Sequence, residues 1–289
     1  MTGLRLGLLI AVTMTAFAAN SLLNRAAVDG GFISAPGFAV IRVLSGAAML
    51  SVLVLLSGRR PRIPAPGRLL TAAGLSLYLL GFSTAYVHLD AGLGALILFG
   101  GVQVTMFAAA IAMGETIPPR RYIGAALALG GLALLCLRPG TGGTAIGVVA
   151  MILAAMGWGA YSVLGRRAKD PLAETAASFL IAVPMVWLPV LALPVAPDAA
   201  PPSAPGYALA ILSGAVTSGM GYALWYVILR QITSSTAALV QLSAPLIAVA
   251  GGVLLLGETV SLRIVVAAVL ILGGIAFGLA QRRIGSSGS

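Results

Sequence analysis

Gly114-Glu115-Thr116 is followed by Ala128-Leu129-Gly130-Gly131-Leu132-Ala133. Both pieces return late in the chain, as Gly257-Glu258-Thr259 and Ile271-Leu272-Gly273-Gly274-Ile275-Ala276. The step from 114 to 257 is also the step from 130 to 273, an offset of 143. Self-similarity at a fixed offset marks a duplicated unit. Other pairs extend it. At an offset of 141, Ser21-Leu22-Leu23-Asn24-Arg25 matches Ser162-Val163-Leu164-Gly165-Arg166, and Asp29 matches Asp170. Tyr86-Val87 and Tyr226-Val227 match at 140. Residues 1–139 and 140–281 therefore read as two copies of one unit. The closing Gly285-Ser286-Ser287-Gly288-Ser289 reads as an appended linker-like tail.

Each unit is too apolar for water. The chain is 60% hydrophobic and 8% charged, against about 25% charged in an average soluble domain. Its mean hydropathy is +1.06. So few charges cannot build a polar shell, and several stretches approach the roughly 20 residues that cross a bilayer as helix. The expected fold is an all-α polytopic membrane protein. The net charge of +10 would suggest nucleic acid in a soluble chain. Here the arginines stand at helix ends, which points to membrane topology instead, and no nucleic-acid partner is expected. One cysteine, Cys136, and one histidine, His88, give no disulfide and no metal-ligand spacing. Neither a metal nor another cofactor is expected. The N-terminal apolar run has no convincing cleavage site and reads as an uncleaved first span.

Ten spans are predicted, as helices over 4–23, 37–56, 69–87, 91–113 and 122–137, then 144–164, 172–193, 206–229, 236–256 and 262–280. Pro-rich, basic or Gly-rich segments separate them. With both termini in the cytoplasm, all 17 basic residues except Arg25, Arg42, Arg138 and Arg263 fall on the cytoplasmic side. Five spans per copy is an odd number, so the copies must enter the membrane with opposite orientation. Inverted five-helix repeats are a transporter architecture, since two similar halves give two similar packings, one open to each side.

Ten spans as five plus five, Gly-Glu at the ends of spans 4 and 9, and the run Pro245-Leu246-Ile247-Ala248 through Leu256-Gly257-Glu258-Thr259 with Gly273-Gly274 behind it, resemble the drug/metabolite transporter superfamily, EamA branch. The overall shape is similar to its bacterial exporters of aromatic and other neutral amino acids. The resemblance implies that spans 1, 3, 4, 6, 8 and 9 line a central cavity, with 5 and 10 at the periphery and span 2 also peripheral. It implies a proline near the middle of span 9, where Pro245 stands; the matching position of span 4 is Val102. It places the protein in the bacterial inner membrane, working as a monomer among lipid, with a small solute such as a neutral amino acid as its partner.

Polar residues inside spans carry most functional weight, because lipid tolerates them poorly. Gln103 and Gln241 are mid-span amides suited to a zwitterionic or polar neutral solute, or to a helix–helix hydrogen bond. Ser243 lies two residues from Gln241. Asn20 and Asn24 share one stripe of span 1. Aromatics form a second group: Tyr78, Phe82 and Tyr86 on span 3, Tyr222, Trp225 and Tyr226 on span 8, and Trp158 and Tyr161 on span 6. Asn20, Tyr78, Gln103, Trp158, Tyr161, Tyr222, Trp225, Gln241 and Ser243 are the expected solute contacts. Ser76, Ser83, Thr84, Ser213, Thr217 and Ser218 either add hydroxyls to the cavity or, by default, bond to their own helix backbone. Arg42 is the clear intramembrane charge; snorkelling outward or pairing with Asp90 or Asp29 is the favoured reading, and attraction of a solute carboxylate the other. Glu115 and Glu258 close helices whose dipoles oppose them, so ties to Arg120, Arg121 and Arg263 that fasten the hairpins are expected. Arg42, His88, Glu115, Pro245 and Glu258 are assigned gating or structural roles. Glycines of spans 5 and 10 promise close helix contacts.

The leading function is alternating-access export of small neutral or amphipathic metabolites, amino acids first. No carboxylate stands at mid-span, which favours facilitated diffusion over a central proton relay. Proton-coupled export of other metabolites or drugs is the alternative. A sugar-phosphate or nucleotide-sugar exchanger would need more basic residues than Arg42. An intramembrane enzyme would need a nucleophile–base pair, and an ion channel would need charged rings.

Overall fold

The computed structural model describes residues 3–59, 67–114, 118–136, 143–165, 170–192, 201–229, 231–232 and 240–279. Among these residues there are ten helices and no strand, apart from an isolated bridge between Leu89 and Gly143. The helices are α1 (Gly3–Asp29), α2 (Ala35–Leu56), α3 (Arg68–Ala85), α4 (Ala91–Ala112), α5 (Pro119–Cys136), α6 (Ala145–Gly165) and α7 (Pro171–Leu191). The eighth, α8, runs as α-helix over Ala204–Ile211, as π-helix over Leu212–Met220 and again as α-helix over Gly221–Leu229. α9 (Ser243–Leu256) and α10 (Leu262–Leu279) follow. Six of the helices are long and apolar enough to cross a membrane by length and composition.

Helix ends follow from local chemistry. Ser34, Asp170 and Ser203 each accept a hydrogen bond from the amide three residues on, and each is followed by a proline in the first turn, where the missing N–H costs nothing. Pro119 likewise opens α5. Gly257 stops α9 in the left-handed conformation, φ +67°. The Gly257 and Glu258 amides both reach back to the Gly252 carbonyl, the second at 3.0 Å. A left-handed glycine whose turn satisfies a late carbonyl is a common helix stop. Gly114 takes the same conformation, φ +72°, just past α4. Glycine is required there because a Cβ would cost roughly 1–2 kcal/mol in this region.

One span boundary lies well beyond the expected one. α1 runs on to Asp29, because the Asn24–Arg25 turn finds polar partners on α3 and the α3–α4 turn rather than water. α9 as described starts at Ser243; the expected start at 236 lies among residues 233–239, outside the described set. Pro245 stands in the first turn of α9, three residues past Leu242. Residues 240–241 are helical and Leu242 forms a turn. The proline cannot supply the amide that would bond the Gln241 carbonyl, and its ring clashes with that carbonyl, so the helix breaks there.

Lipid supplies no hydrophobic drive between helices, so close packing must come from small residues. α5 lies on α10 through Gly124, Gly131 and Gly274: a Cβ on Gly274 would stand 2.7 Å from the Gly124 carbonyl oxygen, and one on Gly131 3.0 Å from that of Ala267. Gly130 and Gly273 meet nothing within 4 Å. α3 and α6 meet at Gly74 and Gly157, each blocking a side chain on the other. Gly159 packs on Thr105 and Gly101 on Ala155, so these glycines serve contact rather than bending.

Gly124→Leu should therefore lower the thermal unfolding midpoint in detergent, at a cost of about 1–3 kcal/mol. Gly273→Leu, on the open side, should leave it within experimental scatter.

Candidate functional site

Nine side chains converge on a narrow cavity inside the bundle: Phe17, Asn20, Tyr78, Phe82, Leu98, Phe99, Trp158, Tyr222 and Gln241. They come from α1, α3, α4, α6, α8 and the residue two ahead of α9, with α5 and α10 outside. The enclosed space is about 20 Å³, room for about one water. Its wall is aromatic. Trp158 packs against Tyr78 and Tyr222 with ring centroids 4.9 and 5.1 Å apart, and Phe17 meets Tyr222 edge-on at 5.7 Å.

The lining falls into pairs at the offsets of the sequence repeat. Phe17 and Trp158 stand at an offset of 141, Phe82 and Tyr222 at 140, and Leu98 and Gln241 at 143. The remaining two polar members, Asn20 and Tyr78, have Tyr161 and Ser218 at the same offsets. Both of those are buried.

Behind the wall runs a polar network. Asn20 Oδ1 accepts from Ser213 Oγ at 2.8 Å, Thr217 Oγ1 at 2.6 Å and Ser218 Oγ at 3.4 Å. The π-helix explains how three hydroxyls reach one oxygen. Its bonds close on i→i+5, so its repeat lies between four and five residues and positions 213, 217 and 218 share a face. The expectation that these hydroxyls bond only to their own backbone is corrected here; only Thr217 also reaches its own helix, at the Ser213 carbonyl.

Arg42 occupies the centre of this network and is fully buried. Its Nε donates to Ser218 Oγ at 3.2 Å and its Nη2 to Tyr78 Oη at 2.9 Å. The guanidinium carbon lies 4.8 Å from the Phe82 ring centroid and 5.2 Å from that of Tyr78. Nη1 is buried with no hydrogen-bond partner among the described residues. Arg42 thus neither snorkels nor pairs with Asp29 or Asp90; α2 supplies no residue to the cavity lining and packs on α3, α7 and α8. The aspartates are taken by Arg25, at 3.0 and 3.4 Å, which also donates to the Tyr86 carbonyl. Burial lifts the Asp90 carboxyl above its usual range, against the pull of Arg25.

Glu258 is also reassigned. It is not fastened to Arg263, whose guanidinium donates to the Leu134 carbonyl of α5. Instead its two carboxylate oxygens accept from the Ala91 and Gly92 amides, the free N–H groups that open α4. A carboxylate opposed by its own helix's dipole is favoured by that of another. Burial raises the Glu258 carboxyl above its usual range, and the two amides pull it back. Glu115 lies outside the described residues.

The other expected site residues divide. Asn20, Tyr78, Trp158, Tyr222 and Gln241 are brought together at the cavity. Tyr161 is one layer back, its hydroxyl on Thr175 Oγ1 at 3.2 Å and its ring on Trp158. Trp225 is buried against Phe17. Ser243 bonds the Val240 carbonyl at 2.7 Å. Gln103 is half-buried and is not among the lining residues. Asn24 ties α1 to α3 through Ser83 Oγ at 3.0 Å. His88 is half-buried, its Cβ against Gly147 at the start of α6. Phe17, Leu98 and Phe99 are lining residues that polarity alone does not reveal, and the repeat offset from Trp158 and Gln241 would have found the first two.

A bundle of apolar helices around a polar, aromatic-walled cavity defines a multi-pass membrane protein that handles small solutes. The chain belongs to the EamA-like transporter family, whose pattern matches residues 145–279, consistent with the drug/metabolite transporter superfamily. It is 46% identical to an uncharacterized protein of Pseudomonas aeruginosa over 278 residues, 95% of this chain and 94% of that one. A solved crystal structure of a protein at 23% identity superposes over 96% of this chain and 99% of its own, with a TM-score of 0.68, which shows a shared fold.

Glu258→Ala would leave two α4 amides unmet and should cost about 1 kcal/mol in thermal unfolding. Because burial raises the folded-state value of this carboxyl, its contribution to stability is full below the unfolded value and fades as pH rises through the folded one. That part of the pH dependence should vanish in Glu258→Gln.

Proposed function

We propose that this transporter exports small neutral or amphipathic metabolites, amino acids first, across the bacterial inner membrane by alternating access. Residues 1–139 and 140–281 form two halves inserted with opposite orientation, both termini lying in the cytoplasm. The observation that carries this reading is the pairing of lining residues at repeat offsets: Phe17 with Trp158, Phe82 with Tyr222, Leu98 with Gln241. Helix contacts follow the same pairing. α5 packs on α10, α2 on α7 and α4 on α9, while α3 on α6 has its counterpart in α8 on α1. A site built from equivalent positions of two halves has two arrangements of similar energy, which is what exposure to alternate sides requires.

The chemistry of the wall supports the solute class. Rings from α1, α3, α4, α6 and α8 suit an apolar or flat side chain, and the Gln241 amide offers a donor and an acceptor. The broken helix at Gln241 adds backbone polarity at membrane depth, tolerated only beside a cavity or within protein. With room for about one water, the cavity must widen to admit any such solute. Facilitated movement fits a sequence with no Asp or Glu at mid-span.

Counterflow into proteoliposomes with a panel of radiolabelled amino acids tests this directly. Neutral, especially aromatic, members should accumulate, whereas flat traces for all of them would remove the amino-acid reading. Gln241→Ala should slow counterflow about tenfold, the worth of roughly one hydrogen bond to a polar solute; an unchanged rate at normal expression would move the site elsewhere.

A further inference from the structure

We infer that Arg42 and Tyr78 form an anion-reading subsite, so that the solute taken by the cavity carries a carboxylate. The inference rests on the transporter reading above and narrows its substrate class. An arginine side chain stays charged in proteins, and burying one without a counter-charge is costly. Arg42 is fully buried, and the described carboxylates are all engaged elsewhere. Asp29 and Asp90 hold Arg25, Asp170 holds Arg59, Glu174 pairs with Arg68, and Glu258 caps α4. What Arg42 has instead is two hydroxyls, two aromatic faces and a free Nη1.

Among the described residues the arrangement is one charge short, and it adjoins the solute cavity through Tyr78 and Phe82, both of which line it. The Tyr78 oxygen accepts from Arg42, so its own proton remains to be donated, and the adjacent charge polarises that O–H toward an acceptor. A carboxylate meeting the Tyr78 hydroxyl would complete the guanidinium's electrostatics and gain a charge-assisted hydrogen bond. A single arginine amid aromatic rings matches a monoanion on an apolar body. A phosphate dianion would call for more cationic donors. α7, the counterpart of α2, has no basic residue, so the charge sits on one side of an otherwise paired cavity and gives the solute a direction.

The test compares 3-phenylpropionate with its uncharged amide, 3-phenylpropanamide, by quenching of intrinsic tryptophan fluorescence in the purified full-length protein, Trp158 being a lining residue. The carboxylate should bind at least about tenfold tighter than the amide. In Arg42→Gln the two should converge. Tyr78→Phe keeps the ring packing and serves if Arg42→Gln does not fold; it should weaken the carboxylate alone. Equal affinities in the unaltered protein, a preference surviving both substitutions, or binding of neither compound would overturn the subsite. Proteoliposome counterflow separates this from the broader reading. Phenylalaninamide exchanging as fast as phenylalanine would overturn the subsite while leaving transport standing. Flat amino-acid counterflow with the carboxylate preference intact would remove the amino-acid reading and keep the subsite.

Discussion

A guanidinium held at membrane depth, with no described carboxylate beside it, is the constraint on which the middle of this bundle depends. Arg42 orients Tyr78 on α3 and Ser218 on α8, two positions that share the repeat offset. Ser218 passes the ordering to Asn20 on α1, and Asn20 gathers two more hydroxyls. The backbones must come close for this to work. Gly46 lies against Phe179 and the Gly214 carbonyl, and Gly214 against the backbone of Arg42 itself. Any side chain at Gly214 would push α8 off α2 and strand the charge. Buried polar groups of this kind are stable only when the chain of partners is continuous.

The rims are held differently. At one end Arg25 gathers Asp29, Asp90 and the Tyr86 carbonyl, and Glu258 closes the start of α4. At the other, Arg59 meets Asp170 and Arg68 meets Glu174. These pairs are partly exposed, so salt screens them and each contributes modestly. The centre is polar and buried while both ends are ionic and partly exposed.

Ten helices and their order are legible in the sequence because apolar length and Pro/Gly punctuation are local signals. The Gly-Glu-Thr blocks announce helix ends, and the glycine conformations at 114 and 257 agree. What Glu258 touches is not legible, because its partners, the amides of residues 91 and 92, lie in the other half of the chain. Arg42 misleads for a related reason: hydropathy scores a lone arginine as an intruder and is blind to two hydroxyls arriving from α3 and α8. Aromatic stripes locate Tyr78, Trp158 and Tyr222 because ring size forces them inward. Gln103, half-buried and outside the cavity lining, shows that an amide reports polarity but not direction. The π-helix has no signature beyond the cluster of Ser, Thr and Gly from 213 to 219.

That π segment has a consequence for the aromatic wall. Each of its turns takes up about one residue more than an α turn, so the helix beyond it is out of phase with the helix before it. Tightening the segment by a single residue would swing Tyr222 and Trp225 around the axis by about 100° and withdraw Tyr222 from Trp158 and Phe17. The angular setting of Tyr222 in the cavity wall is therefore stored upstream, as surplus backbone clasped by hydroxyls on one asparagine oxygen.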